Sequence, residues 1–89
     1  MLGSVYRVIL KPKAKKQYDN LPPKDRQRVL GALQGLRENP FVNKKLSGEL
    51  RGRYAVRVWP YRIIYTIEKS IVTVTVVAIG HRKDVYEKA

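Results

Sequence analysis

Two arginines on either side of one tight turn are the residues of this sequence best placed to do chemistry. In the stretch YAVRVWPYRIIYTI, the runs Tyr54 to Trp59 and Tyr61 to Ile67 are dense in β-branched and aromatic residues. They read as two strands of a hairpin turning at Trp59 and Pro60. Side chains alternate between the faces of a strand. Tyr54, Val56 and Val58 therefore share one face with Tyr61, Ile63, Tyr65 and Ile67, and the other face sets Arg53, Ala55 and Arg57 against Arg62, Ile64 and Thr66. A two-residue turn places Arg57 directly across from Arg62. Pro60 suits the second position of an ordinary two-residue turn poorly, but a three-residue turn would break the match of the apolar rows, so the two-residue register is preferred. Like charges directly opposed on a sheet are destabilising, and folding alone gives no reason to choose them. A phosphate held between the guanidiniums removes the repulsion, and arginine recognises phosphate through paired N–H donors. The bland alternative is two solvated arginines on an exposed face.

A second group follows the last strand, in Gly80-His81-Arg82-Lys83-Asp84-Val85-Tyr86. His81 is the only histidine, and an imidazole can move a proton in either direction; a lone histidine is more often structural or simply exposed. Tyr86 has the chemistry to stack on a base or to hold a phosphate oxygen, or else to pin the tail to the sheet. There is no cysteine, which removes disulfides, thiolate metal sites and cysteine nucleophiles together. The carboxylates Asp19, Asp25, Glu38, Glu49, Glu68, Asp84 and Glu87 are scattered, so no metal site and no cofactor are expected, and a two-metal nuclease is disfavoured. What the inventory does suit is RNA cleavage by the neighbouring 2′-hydroxyl, with cations stabilising the charge that grows on the phosphate oxygens.

Nineteen Lys and Arg against seven Asp and Glu give a formal net charge of +12 on 89 residues. Such a field attracts polyanions. Nucleic acid is the first partner to expect, an acidic protein the second, and an anionic membrane a distant third, since no long amphipathic helix carries the basic residues. No leader-like segment opens the chain, and the apolar stretch at Val76–Ile79 is too short to cross a bilayer. The expectation is a soluble, cytoplasmic protein folded as a single domain over residues 1–89.

The elements that must position these groups are legible. Val5 to Leu10 reads as a first strand, ending at Pro12, and Lys13 to Asn20 as a short basic helix. Pro23 suits the first turn of a second helix, in which Val29, Leu33 and Leu36 recur at i, i+4 and i+7, with Leu30 and Ala32 widening the stripe. Asn39 and Pro40 end it. Phe41 to Gly52 reads as a loop carrying Lys44, Lys45 and Arg51, and with Arg53 these form a set of candidate RNA-binding cations. Ile71 to Ile79 is a last strand, followed by a short helical turn over residues 82–89. The order β-α-α-β-β-β implies an α+β fold in which two helices, both in the N-terminal half, cover one face of a mostly antiparallel four-stranded sheet.

These residues resemble the RelE/ParE superfamily of type II toxins over essentially the whole chain. The resemblance rests on the loop Lys45-Leu46-Ser47-Gly48, the Y-R-I-I-Y run, and the H-R-x-D-V-Y tail, which is similar to that of the ribonuclease branch. It implies a RelE-like fold and a ribosome-dependent endoribonuclease that cuts mRNA in the A site. It also implies a cognate RelB-like antitoxin that wraps the toxin through an acidic or amphipathic segment, and contact with operator DNA only through that antitoxin. By position, Arg62 resembles the phosphate-stabilising arginine of the central strand, Arg82 the arginine that assists the leaving group, and Tyr86 the tyrosine that orients the mRNA. Arg57 matches a strand position that is often lysine. The chain departs from the family at Ala55, where a second basic residue is usual, and this leaves the general base open among His81, Lys45, Arg51 and Arg53, with His81 the first choice. Two other readings stand beside this one: a ParE-like inhibitor of DNA gyrase without nuclease activity, and a catalytically decayed RNA-binding or co-repressor module.

Overall fold

The computed structural model describes residues 5–46, 48 and 51–81. The first strand, β1 (Arg7–Leu10), leads directly into α1 (Pro12–Asp19) and then α2 (Pro23–Glu38). Both helices carry proline in the first turn, where its missing N–H is no loss. In α2 the residues Val29, Leu33 and Leu36 are buried, as their spacing requires. Leu30 does not join them. It remains exposed and lies with Val8, Leu10 and Leu33 along an open groove between α2 and β1.

Four further strands follow: β2 (Lys44–Lys45), β3 (Tyr54–Val58), β4 (Tyr61–Glu68) and β5 (Thr73–His81). They form one sheet in the order β1-β5-β4-β3-β2, antiparallel except for the parallel pair β1–β5. The expected fold class holds, but the sheet has five strands rather than four. The additional strand is Lys44–Lys45, which has no apolar period to betray it and exists only through its ladder to β3. The last strand also begins later than Ile71, because Lys69–Ile71 form a 3₁₀ turn and Val72 takes a left-handed conformation with φ of 50°.

The hairpin rows segregate as their alternation demands. Val58, Ile63 and Tyr65 join Val29, Leu33, Leu36, Val74, Val76 and Ile79 in the main core, with Tyr54, Val56, Tyr61 and Ile67 packed against it. The opposite face carries a smaller apolar floor of Ala55, Ile64 and Ala78, flanked by Leu46 and Val77. Beyond the end of β1 the edge of β5 is closed by α1, where the Gln17 side chain accepts the Ile79 N–H at 2.7 Å. No helix among the described residues is long and apolar enough to cross a membrane.

Candidate nucleic-acid interface

The hairpin turns over two residues, with a cis peptide between Trp59 and Pro60, and Arg57 stands directly opposite Arg62. The next strand contributes Gly80 beside Arg62, so no β5 side chain crowds the guanidinium there. On the other side, Lys44 of β2 is the cross-strand partner of Ala55, which shares a face with Arg57 two residues on. Lys44, Ala55, Arg57 and Arg62 together line a recess of about 100 Å³ on the face turned away from the helices. Among the described residues no carboxylate forms an ion pair with any of the three cations; the ion pairs present are Lys15–Asp19 and Arg28–Asp25.

The turn is fixed from the helical side. The Tyr61 hydroxyl donates to Asp25 on α2 at 2.9 Å. Arg28, one helical turn on, reaches the same carboxylate at 3.5 Å and donates to the Trp59 carbonyl at 2.7 Å. The hydrogen bond to Asp25 pushes the Tyr61 phenol above its ordinary pKa, with burial and the carboxylate charge acting in the same direction. Sequence reasoning did not single out Asp25, Arg28 or Tyr61 for this role. The i, i+3 spacing of Asp25 and Arg28 shows that they can meet, and nothing local shows that they meet the hairpin.

The segment leading into β2 is held with equal care. The buried Tyr65 hydroxyl donates to the Pro40 carbonyl at 2.6 Å and accepts from the Asn43 amide at 3.0 Å. Burial raises its pKa, and the Asn43 hydrogen bond works the other way. On the far side of β2 the Leu46 N–H donates to the Arg53 carbonyl at 2.8 Å. Lys44 is therefore clamped immediately before and after its strand.

The other expected site residues fall in different places. His81 pairs with Tyr61, and its ring meets the Tyr61 ring edge-on at 6.4 Å between centroids. It therefore lies on the helix side of the sheet, opposite to Arg57 and Arg62. The cause is a bulge in β5, between the pairs Ile64–Ala78 and Tyr65–Val76. The extra residue, Val77, lies on the same face as Ala78, and the alternation beyond it is inverted. Lys45 pairs with Tyr54 and so lies on the face opposite to Lys44. Arg51 is exposed in a turn with Gly52, and the φ values of 69° at Gly48 and 91° at Gly52 are those glycine tolerates. Arg53 directly precedes β3 and is partly buried. Arg82 and Tyr86, with the expected C-terminal helical turn, lie outside the described residues.

Chemically, three cations bordering one small recess on a single sheet face, with no carboxylate paired to them among the described residues, have the donors to hold an anionic group such as a phosphate. Comparisons with known proteins identify the family. Residues 8–86 match the family model described as the ParE toxin of the type II toxin-antitoxin system parDE. The chain is 32% identical over 85 residues to the toxin RelG of Mycobacterium tuberculosis, covering 93% of this chain and 98% of that one. It is similar to a solved structure of the toxin-antitoxin complex RelBE2 from M. tuberculosis, with a TM-score of 0.81 and 31% identity over 89% of this chain and 93% of its counterpart. A mutant of the E. coli toxin RelE in the free state has the same fold, with a TM-score of 0.82 at 24% identity, covering 96% of this chain and 94% of that one.

Proposed function

The chain belongs to the RelE/ParE superfamily, as a type II toxin of the RelE family, and on that premise we propose that it is an endoribonuclease that cuts mRNA in the A site of the translating ribosome. The observation that carries the reading is the opposition of Arg57 and Arg62 in a recess that, among the described residues, offers them no carboxylate. A phosphodiester seated there has its non-bridging oxygens between two guanidiniums. The ribose 2′-oxygen attacks the adjacent phosphorus, the bond from phosphorus to the 5′-oxygen breaks, and the products are a 2′,3′-cyclic phosphate and a 5′-hydroxyl. The 2′-hydroxyl proton passes to solvent, and the departing oxygen takes a proton from the donor side. The family resemblance assigns that side to Arg82, with Tyr86 orienting the message. The guanidiniums accelerate the step because charge on the phosphate oxygens is larger at the transition state than before it, and no metal ion enters this scheme.

Arginine is a weak acid, so cleavage of free RNA is slow and the ribosome supplies the geometry. The partner that holds the toxin silent is a cognate antitoxin with an acidic or amphipathic segment. A net charge of +12 suits such a segment as well as it suits ribosomal RNA, and the similar M. tuberculosis structure is itself a toxin-antitoxin complex. The ParE description of the matching family model favours a second reading, inhibition of DNA gyrase without RNA cleavage.

The deciding experiment adds the protein to a purified translation system with a defined mRNA and maps cuts by primer extension, beside Arg62→Ala, Arg82→Ala and Tyr86→Ala. Cuts that need the ribosome, fall in A-site codons and fade in the variants are the expected result. Intact mRNA in the presence of folded, toxic protein, together with loss of supercoiling by gyrase, selects the second reading.

A further inference from the structure

The recess is built from three strands, and one of them is only two residues long. β2 consists of Lys44 and Lys45 alone. It sits at the sheet edge, where cationic residues also discourage pairing with other chains. That general role does not explain why the chain on both sides of so short a strand is fastened, by the Tyr65 hydroxyl to the Pro40 carbonyl and the Asn43 side-chain amide, and by the Leu46 N–H to the Arg53 carbonyl. Nor does it explain the division of labour between the two lysines. Lys45 goes to the face of Tyr54, whereas Lys44 goes to the face of Arg57 and Arg62 and lines the recess with them.

Opposite Lys44 the central hairpin offers only the methyl group of Ala55, which is buried. A longer side chain at 55 would fill the space that Lys44 borders. We infer that the Lys44 ammonium is the third cation of the phosphate seat, reaching in from β2 above Ala55 to bind the same RNA phosphate as Arg57 and Arg62. The inference rests on the ribonuclease reading for its substrate. The recess is small, about 100 Å³, and the three cations border it together. The division of roles follows from shape. The two guanidiniums are planar forks that fix the orientation of the phosphate, and the ammonium is a compact point charge that adds field without demanding a particular geometry.

The test moves the charge from one strand to its neighbour. Complete chains carrying Lys44→Ala, Ala55→Lys and both changes together are assayed for single-turnover cleavage on programmed ribosomes, with Lys24→Ala on the helical side as a control for net charge. Lys44→Ala is expected to lower the cleavage rate by about 100-fold, the scale for one lost donor to a developing oxyanion, at nearly unchanged half-saturation by ribosomes. The double variant, which returns an ammonium to the recess from β3, is expected to recover at least about tenfold of that loss. A Lys44→Ala rate within about threefold of the Lys24→Ala rate, or a folded double variant no faster than the single one, overturns the inference; differences that small are below one lost charged contact.

A second measurement separates this inference from the reading it rests on. Thermal unfolding is followed while inorganic phosphate replaces chloride at constant ionic strength, since a ligand of the folded state alone raises the melting temperature. If the wild-type chain leaves mRNA intact yet loses most of its phosphate-induced stabilisation on Lys44→Ala, the seat is correct and the nuclease reading fails. A phosphate response that does not depend on Lys44 removes the third cation whatever the activity.

Discussion

Replacing Arg57 by glutamine should make the protein more stable and less active at once. Arg57 and Arg62 are direct cross-strand partners, and side chains so placed start about 5 Å apart at Cβ. Two unit charges about 6 Å apart in a medium of effective dielectric near 60 repel by roughly 0.9 kcal/mol. Opposed like charges on sheets fall in the same range, about 0.2–1 kcal/mol. With an unfolding entropy of about 2.1 cal/mol/K per residue, 89 residues give roughly 0.19 kcal/mol/K. Relief of the repulsion then raises the melting temperature by about 1–5 °C. Glutamine keeps most of the aliphatic stem, so little packing changes, and Arg57 is exposed to begin with. The assay is differential scanning calorimetry in about 10 mM salt and again in about 1 M, where the screening length falls from roughly 30 Å to 3 Å. Lys24→Gln runs beside it to subtract the general effect of removing one cation from a chain of net charge +12. The gain should exceed the Lys24→Gln gain in dilute salt and vanish in concentrated salt, while cleavage on ribosomes falls. A lowered melting temperature in dilute salt, or a gain that persists undiminished at high salt, would refute the claim that the pair is a cost of folding retained for an anion.

Tyr65→Phe removes a buried hydroxyl that serves Pro40 and Asn43, and at about 0.5–1.5 kcal/mol per bond, plus an orphaned carbonyl, it should cost roughly 1.5–3 kcal/mol in urea unfolding. The same variant loosens the segment before Lys44, so its cleavage rate should fall at temperatures where it is still fully folded. Asp25→Asn weakens the tie between α2 and the Trp59–Tyr61 turn; it should lower the melting temperature by a few degrees and raise hydrogen exchange at the hairpin, and an unchanged exchange pattern would count against that tie. The phenols of Tyr61 and Tyr65 are both held above the ordinary value of 10.0. In the unfolded chain they ionise near that value while the folded chain keeps its protons, so their stabilisation is whole below pH 10 and declines as pH rises through the folded values. Melting temperatures from pH 9 to 11.5 should therefore fall less steeply in Tyr61→Phe than in the wild-type chain.

Much of the site was legible because its logic is local. A period of 3.6 marks Val29, Leu33 and Leu36 as the buried stripe of one helix, and a period of 2 sorts the hairpin into a core row and a cationic row. With a two-residue turn the opposition of Arg57 and Arg62 follows from counting, and the structure has that register. Of the motifs that carry the family resemblance, the Y-R-I-I-Y run lies in the same hairpin, while the Lys45–Gly48 loop and the tail from His81 lie outside it.

Tertiary pairing decided the remainder. Lys44 and Lys45 have no periodic signature, and they become a strand only because β3 offers them an unpaired edge; that pairing is also what sends Lys44 rather than Lys45 to the arginines. Unbroken alternation along the last strand would have put His81 on the arginine face, but one extra residue at Val77 inverts the pattern and delivers it to Tyr61 on the helix side. Composition alone therefore determined that this chain carries a net charge of +12, and local periodicity determined which strands present two of the cations. Which lysine lines the recess beside them was decided by hydrogen bonds between segments distant in the chain, whose energy depends on the partner strand and leaves no period in the residues themselves.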